Sequence, residues 1–281
     1  MSTAQEVTTQ DLVVEGRHGR IPVREYRGRG AEEGATPFVW VHGGAFFAGG
    51  LDQRESDAVA RALAADGRPL LTVDYRLVPR PNFLGPFRLG ASQNRHPVPI
   101  DDVDDAFGWF EERAGRPAAL GGASAGAFLA TSVAQRRRVG PNSSPTALVL
   151  TYGVFHSHLP PISDELRSRV SGIHGLLQFR PSVMHRINVN YAGGEEALNA
   201  DGVFPASGPL ENLPPTLMID ADRDNLRASG GAFAIALREA GVDVTSSFLP
   251  GTSHGFFERP HRKPFAVAIA QIREWLARTV G

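Results

Sequence analysis

Residues 119–130 read ALGGASAGAFLA, and the fold turns on how Ser124 within that stretch is read. An apolar run of strand character ends at residue 123, and a helix-like pattern begins at 125. Gly122-Ala123-Ser124-Ala125-Gly126 fits G-x-S-x-G at a strand-to-helix junction, the setting a nucleophile elbow needs. Such a turn is so tight that its flanking positions must be small, and the helix N-terminus behind the serine favours developing negative charge. A serine that merely caps a helix uses the same letters. The rest of the chain has to choose.

Around this stretch, short apolar runs alternate with helical patterns. PFVWVH (37–42) and PLLTVDY (69–75) read as buried strands, with the amphipathic ESDAVARALAAD (55–66) between them. DDVDDAFGWFEERAG (101–115) has acidic residues in its first turn and Gly115 as its stop, so it reads as a helix. TALVLTYGVF (146–155) is a further strand, and residues 214–280 repeat the strand–helix–strand–helix order. LVVEGRHGRIPVREYRG (12–28) reads as a first strand pair. The alternation predicts an α/β fold, one domain over 1–281, with a mostly parallel central sheet and helices on both faces. Two stretches break the rhythm: the proline-rich residues 79–99 and residues 156–213, whose short helical pieces and loop signals mark an insertion.

Composition removes several classes of function. A formal net charge of −1 gives no electrostatic case for nucleic acid. No apolar run approaches the roughly 20 residues of a membrane span. The absence of cysteine removes disulfides, thiolate metal sites and cysteine nucleophiles. No secretory signal is legible at the start, so the expectation is a cytoplasmic protein. His156-x-His158 has no third ligand at motif spacing, and neither a metal nor an organic cofactor is expected.

Three further features decide how Ser124 is read. VWVHGGAFFAGG (39–50) ends a strand in a glycine-rich loop of the kind that supplies oxyanion-hole N–H groups, its candidates being Gly43, Gly44 and Ala45, with Ala125 after the serine. DADRDNLRASG (220–230) places Asp220, Asp222 and Asp224 just past a strand. GTSHGFF (251–257) places His254 between the last strand and the last helix. Serine, aspartate and histidine in that chain order, each after a strand, are what an acyl-transfer triad on this kind of sheet requires.

HGGA (42–45), VDYRLVP (73–79), GASAG (122–126), DNLRASG (224–230) and HGFF (254–257) together resemble the hormone-sensitive-lipase family, the bacterial family IV esterases. Its usual forms are HGGG, DYRLAPE, GDSAG, DPLRDEG and HGF. The resemblance implies an α/β-hydrolase fold with a helical cap, here at about 156–210. It also implies carboxylesterase activity on small to medium esters through Ser124, Asp224 and His254. Among the three aspartates it selects Asp224, and it assigns the oxyanion donors to Gly44, Ala45 and Ala125. Arylformamidase and lactone-hydrolase reactions use the same machinery, and a non-catalytic receptor shares the fold. Family members are often dimers, so a homodimer is an expectation too.

Departures from the family pattern are local. Ala45 stands for the third glycine, where φ > 0 carries a cost glycine avoids. Ala123 stands for the aspartate beside the nucleophile, and few residues precede the first strand pair. Segment 80–95 is therefore expected to serve as a lid in place of part of the usual N-terminal cap. Phe46, Phe83, Phe87, Leu176, Phe179, Phe204 and Phe256 are the candidate pocket residues.

Overall fold

Eight strands form one sheet in the order β1-β2-β4-β3-β5-β6-β7-β8. The structure, a computed structural model, describes residues 7–28, 35–83, 88–139, 144–170 and 180–280. β1 (Val7–Gly16) and β2 (Gly19–Gly28) make an antiparallel hairpin, and β2 runs antiparallel to β4 (Leu70–Val73). β3 (Phe38–Val41), β5 (Ala119–Ala123), β6 (Leu148–Thr151), β7 (Thr216–Arg223) and β8 (Val244–Ser253) pair in parallel, and β4 joins them alongside β3. From β3 the chain winds outward to β4, then crosses back to β5 on the other side. This reversal opens a crevice at the carboxyl ends of β3 and β5, where ligands bind in open α/β sheets.

Both faces of the sheet are covered, so its inner strands are apolar along their whole length rather than alternating. In β3, Val39 and Val41 enter one core while Phe38 and Trp40 enter the other. α2 (Val98–Ala114), α3 (Ala125–Arg137) and α7 (Arg227–Glu239) bury Phe107, Phe128 and Phe233 in the first core. α1 (Arg54–Ala64) and α8 (Lys263–Val280) bury Leu63, Ile272 and Leu276 in the second. Each such side chain contributes about 1.5–3 kcal/mol through removal from water. α3 is buried on nearly every side, which explains its run of alanines and Phe128.

Several boundaries differ from the sequence expectation for identifiable reasons. α2 starts at Val98, three residues before the acidic run, because Pro99 sits in the first turn where a missing N–H costs nothing. It stops at Gly115 as expected, in the left-handed region at φ 68°. β6 ends at Thr151 because Tyr152 takes φ 36°, outside the strand region. Between β6 and β7 the described residues form three α-helices, α4 (Asp164–Arg169), α5 (Pro181–Ala192) and α6 (Glu195–Leu198). Among the described residues no helix is long and apolar enough to cross a membrane.

Candidate active site

Ser124 occupies the turn between β5 and α3 with φ 53° and ψ −116°, a conformation an L-residue adopts only under constraint. The constraint is steric. A Cβ on Gly126 would lie 2.1 Å from the Val41 carbonyl oxygen, and one on Gly122 would lie 2.5 Å from the Gly126 carbonyl carbon. Small residues at both positions thus let α3 start directly against β3. The Ser124 N–H donates to the Thr151 carbonyl at 2.9 Å, fixing the turn to β6. The side chain makes no capping bond to α3, so the hydroxyl is not spent on the helix.

It meets a histidine instead. Ser124 Oγ and His254 Nε2 are 3.0 Å apart, and His254 Nδ1 lies 2.6 Å from Asp224 Oδ2. Asp224 is fully buried, and its other oxygen accepts the Leu226 N–H at 3.0 Å. Burial alone would lower the His254 pKa. The adjacent Asp224 carboxylate, with Glu55 and Asp220 behind it, reverses this and holds the imidazole above its ordinary 6.5.

β7 runs on to Arg223, so Asp220 and Asp222 lie within the strand rather than past it and only Asp224 follows it; the three have separate environments. Asp224 faces His254. Asp222 accepts from Arg169 at 2.9 Å and from the Gly251 N–H at 2.7 Å, tying α4 and the end of β8 together. Asp220 is packed against Gly230 of α7, where a Cβ would stand 2.4 Å from its oxygen. Burial, reinforced by the Asp224 charge, pushes its carboxyl up to about 8.

The loop after β3 brings a row of amides to the same crevice. Gly44 has φ 114°, Ala45 52° and Phe46 67°, so two residues with side chains sit in the left-handed region. The expected cost at Ala45 is present, about 1–3 kcal/mol for each such residue. The Gly44 carbonyl accepts from Phe47 and Ala48, and the Phe46 carbonyl from Val78. Among the described residues no acceptor takes the N–H of Gly44, Ala45 or Ala125. Gly43 is a correction to the sequence reading: its N–H donates to Glu55 Oε1 at 2.6 Å and is not available to a substrate. His42 stacks on Tyr75 at 4.5 Å, and its burial lowers its pKa to about 4, so it serves as neutral scaffold.

The candidate pocket residues separate into distinct groups. Phe46 and Phe204 are core residues, 0% and 1% exposed, packed edge-on against Phe128 at 5.1 Å each; this corrects their assignment to a pocket wall. Phe256 lines a cavity of about 330 Å³ together with His254, Arg259 and Arg262. Phe83 is exposed and lies 5.9 Å from Phe47. Phe87, Leu176 and Phe179 lie outside the described residues. His156 and His158 diverge, the first meeting Ser229 at 2.9 Å and the second facing His185.

Glu55 escaped the sequence reading. An acid in the first turn of a helix, here with Asp57 two residues on, looks like a residue that answers the helix dipole. It is 3% exposed and lies behind the amide loop, where Tyr152 donates to its Oε2 at 2.6 Å. Asp220 was likewise indistinguishable in sequence from its two neighbours.

With this geometry in place, the comparison with known proteins is direct. A family model described as alpha/beta hydrolase fold matches residues 38–258. The chain belongs to this family. It is 33% identical over 272 residues to the carboxylic ester hydrolase LipN of Mycobacterium tuberculosis, covering 89% of this chain and 64% of LipN. It is 31% identical to the ethyl acetate hydrolase of Pseudomonas putida, covering 88% of this chain and 74% of that protein. The esterase of Pyrobaculum calidifontis superposes with a TM-score of 0.82 at 28% identity, covering 98% of this chain and 86% of that one.

Proposed function

We propose that this α/β-hydrolase is a serine carboxylic-ester hydrolase in which Ser124 is the nucleophile, His254 the general base and acid, and Asp224 its orienting partner. The observation that carries the reading is the unbroken line from Asp224 Oδ2 through His254 to Ser124 Oγ, with separations of 2.6 and 3.0 Å. Its setting at the sheet crevice beside three amides without acceptors supports it, and so do relatives named for ester hydrolysis.

In the first half-reaction Ser124 Oγ attacks the ester carbonyl carbon as its proton passes to His254 Nε2. The carbonyl electrons move to oxygen, and the oxyanion takes hydrogen bonds from the N–H groups of Gly44, Ala45 and Ala125. Each such preorganised donor is worth about 3 kcal/mol of barrier. Collapse of the intermediate breaks the bond to the alcohol, which leaves with the proton from His254. A water then gives its proton to His254 and attacks the acyl-enzyme carbonyl carbon. The bond to Ser124 Oγ breaks, His254 returns the proton to that oxygen, and the acid is released.

The proposal includes a cover over the crevice, made by residues 156–210 together with 80–95, of which 84–87 and 171–179 lie outside the described residues. Supporting it, the ends of the two stretches are tied to each other. Arg95 donates to the Asn190 carbonyl at 2.9 Å, Asn190 Nδ2 to the Pro79 carbonyl at 2.7 Å, and Arg186 to the Asn82 carbonyl at 3.2 Å.

A panel of p-nitrophenyl esters, lactones and formanilides tests the reading. Turnover concentrated on the esters and abolished in Ser124→Ala is the expected result. Turnover confined to lactones or formanilides would move the assignment to a sister reaction. Ligand binding with no turnover of any class would replace it with a receptor.

A further inference from the structure

Behind the amide loop lies a carboxylate that the reaction as written does not use. Glu55 is nearly inaccessible, and among the described residues no cation pairs with it. A carboxylate placed so is costly unless its oxygens are well satisfied. Here each oxygen has one donor: the Gly43 N–H at 2.6 Å on Oε1 and the Tyr152 hydroxyl at 2.6 Å on Oε2. Both donors adjoin strained backbone beside the reacting groups. Gly43 immediately precedes the left-handed run at 44–46, and Tyr152 itself has φ 36°. The Tyr152 ring stands edge-to-face on the His254 imidazole at 5.1 Å.

We infer that Glu55 is a positioning residue for the Ser124 reaction, its carboxylate clamping the amide loop at Gly43 to Tyr152 and thereby to His254. The inference rests on the ester-hydrolase reading above. Strained turns of this kind persist only where their surroundings over-determine them, and among the described residues Glu55 is the one side chain that bonds to both Gly43 and Tyr152. The fit is specific: a Cβ at residue 43 would lie 2.5 Å from Glu55 Oε1, so only glycine leaves room for the carboxylate. Burial raises the Glu55 carboxyl above its ordinary value, while the Tyr152 hydroxyl, the Gly43 N–H and a cationic His254 each favour its ionised form, so the arrangement supplies charge as the imidazolium forms. The titratable groups around Glu55 are Tyr152, Tyr75, Glu258 and His254. Of these only His254 becomes cationic, and it does so as Ser124 attacks. Around His254 stand Asp224, Glu55 and Asp220, so Glu55 adds to the field that favours the imidazolium.

Glu55→Gln separates the two contributions. The amide oxygen can still accept from Gly43, and its NH2 can donate to the Tyr152 oxygen, so the clamp survives without the charge. Glu55→Ala removes both. For Glu55→Gln the expected result is a thermal midpoint near wild type, KM within about twofold, kcat reduced about tenfold, and an acid limb of kcat/KM displaced to lower pH. For Glu55→Ala a kcat loss of about 100-fold at little-changed KM is expected, as for loss of an oxyanion donor. Should either variant fail to fold, Tyr152→Phe is read in the same way, and a kcat reduction at constant KM is again expected. Unchanged kcat and pH profile in the folded variants, or losses that appear only in KM or only in thermal midpoint, would overturn the inference. A wild-type protein without esterase activity would instead overturn the reading on which it rests.

Discussion

In the proposed mechanism His254 sets the response of the chemistry to pH. Its neutral form is the base, and Asp224, Glu55 and Asp220 together raise its pKa against the opposing effect of burial. Ester hydrolysis is therefore expected to fall, as pH is lowered, at a value above histidine's ordinary 6.5, which a pH–kcat/KM profile reads directly. The stability contribution has the opposite sense. A raised folded-state pKa stabilises the fold fully below the unfolded value, and that contribution disappears as pH rises through the folded one. Asp220 has the same sign with a wider window, between 3.8 and about 8. Asp220→Asn is expected to leave the thermal midpoint unchanged near pH 4, raise it increasingly toward pH 8, and keep esterase activity. A midpoint difference that does not vary with pH would contradict this. Of the proposed triad, Ser124 and His254 were legible in sequence because each lies in a short motif after a strand, whereas Asp224 stood apart from Asp220 and Asp222 only through the resemblance to the family motif. Glu55 and Asp220 were not, because what distinguishes them is burial and a partner far away in the chain.

At the scale of elements, the elbow depends on α3 lying against its neighbours. Arg137, at the end of α3, donates to Asp104 of α2 at 2.5 Å and sits over the Phe107 ring at 4.9 Å. Both charged side chains are more than nine-tenths buried. Arg137→Ala leaves Asp104 with Arg17 as its remaining ion-pair partner, at the exposed edge of the same cluster. The expected cost is about 3 kcal/mol in denaturant unfolding, at the low end for a broken buried pair. A loss under 1 kcal/mol would show that Arg17 compensates. The helices and inner strands could be read in advance from hydrophobic period and from Gly115. The end of β6 could not, since Tyr152 is a strand-forming residue that leaves the strand at φ 36° with its hydroxyl bonded to Glu55.

For the molecule as a whole, the sheet order brings five separated motifs to one crevice, which is why their order along the chain was informative. What covers the crevice was less legible, because loop-rich insertions carry no period from which to read their contacts. Arg95 is the buried link between the two insertions, so Arg95→Ala is expected to loosen the cover. The ratio of kcat/KM for a long-chain to a short-chain p-nitrophenyl ester should then shift several-fold, and an unchanged ratio would separate 80–95 from substrate choice. The central claim, that Ser124 is a nucleophile activated by His254, has a direct covalent test. The protein is treated with a p-nitrophenyl phosphonate, and the labelled peptide is identified by mass spectrometry. One equivalent of phosphonate on Ser124, absent in Ser124→Ala and greatly slowed in His254→Ala, is the predicted result; a catalytically active protein labelled elsewhere or not at all would contradict it.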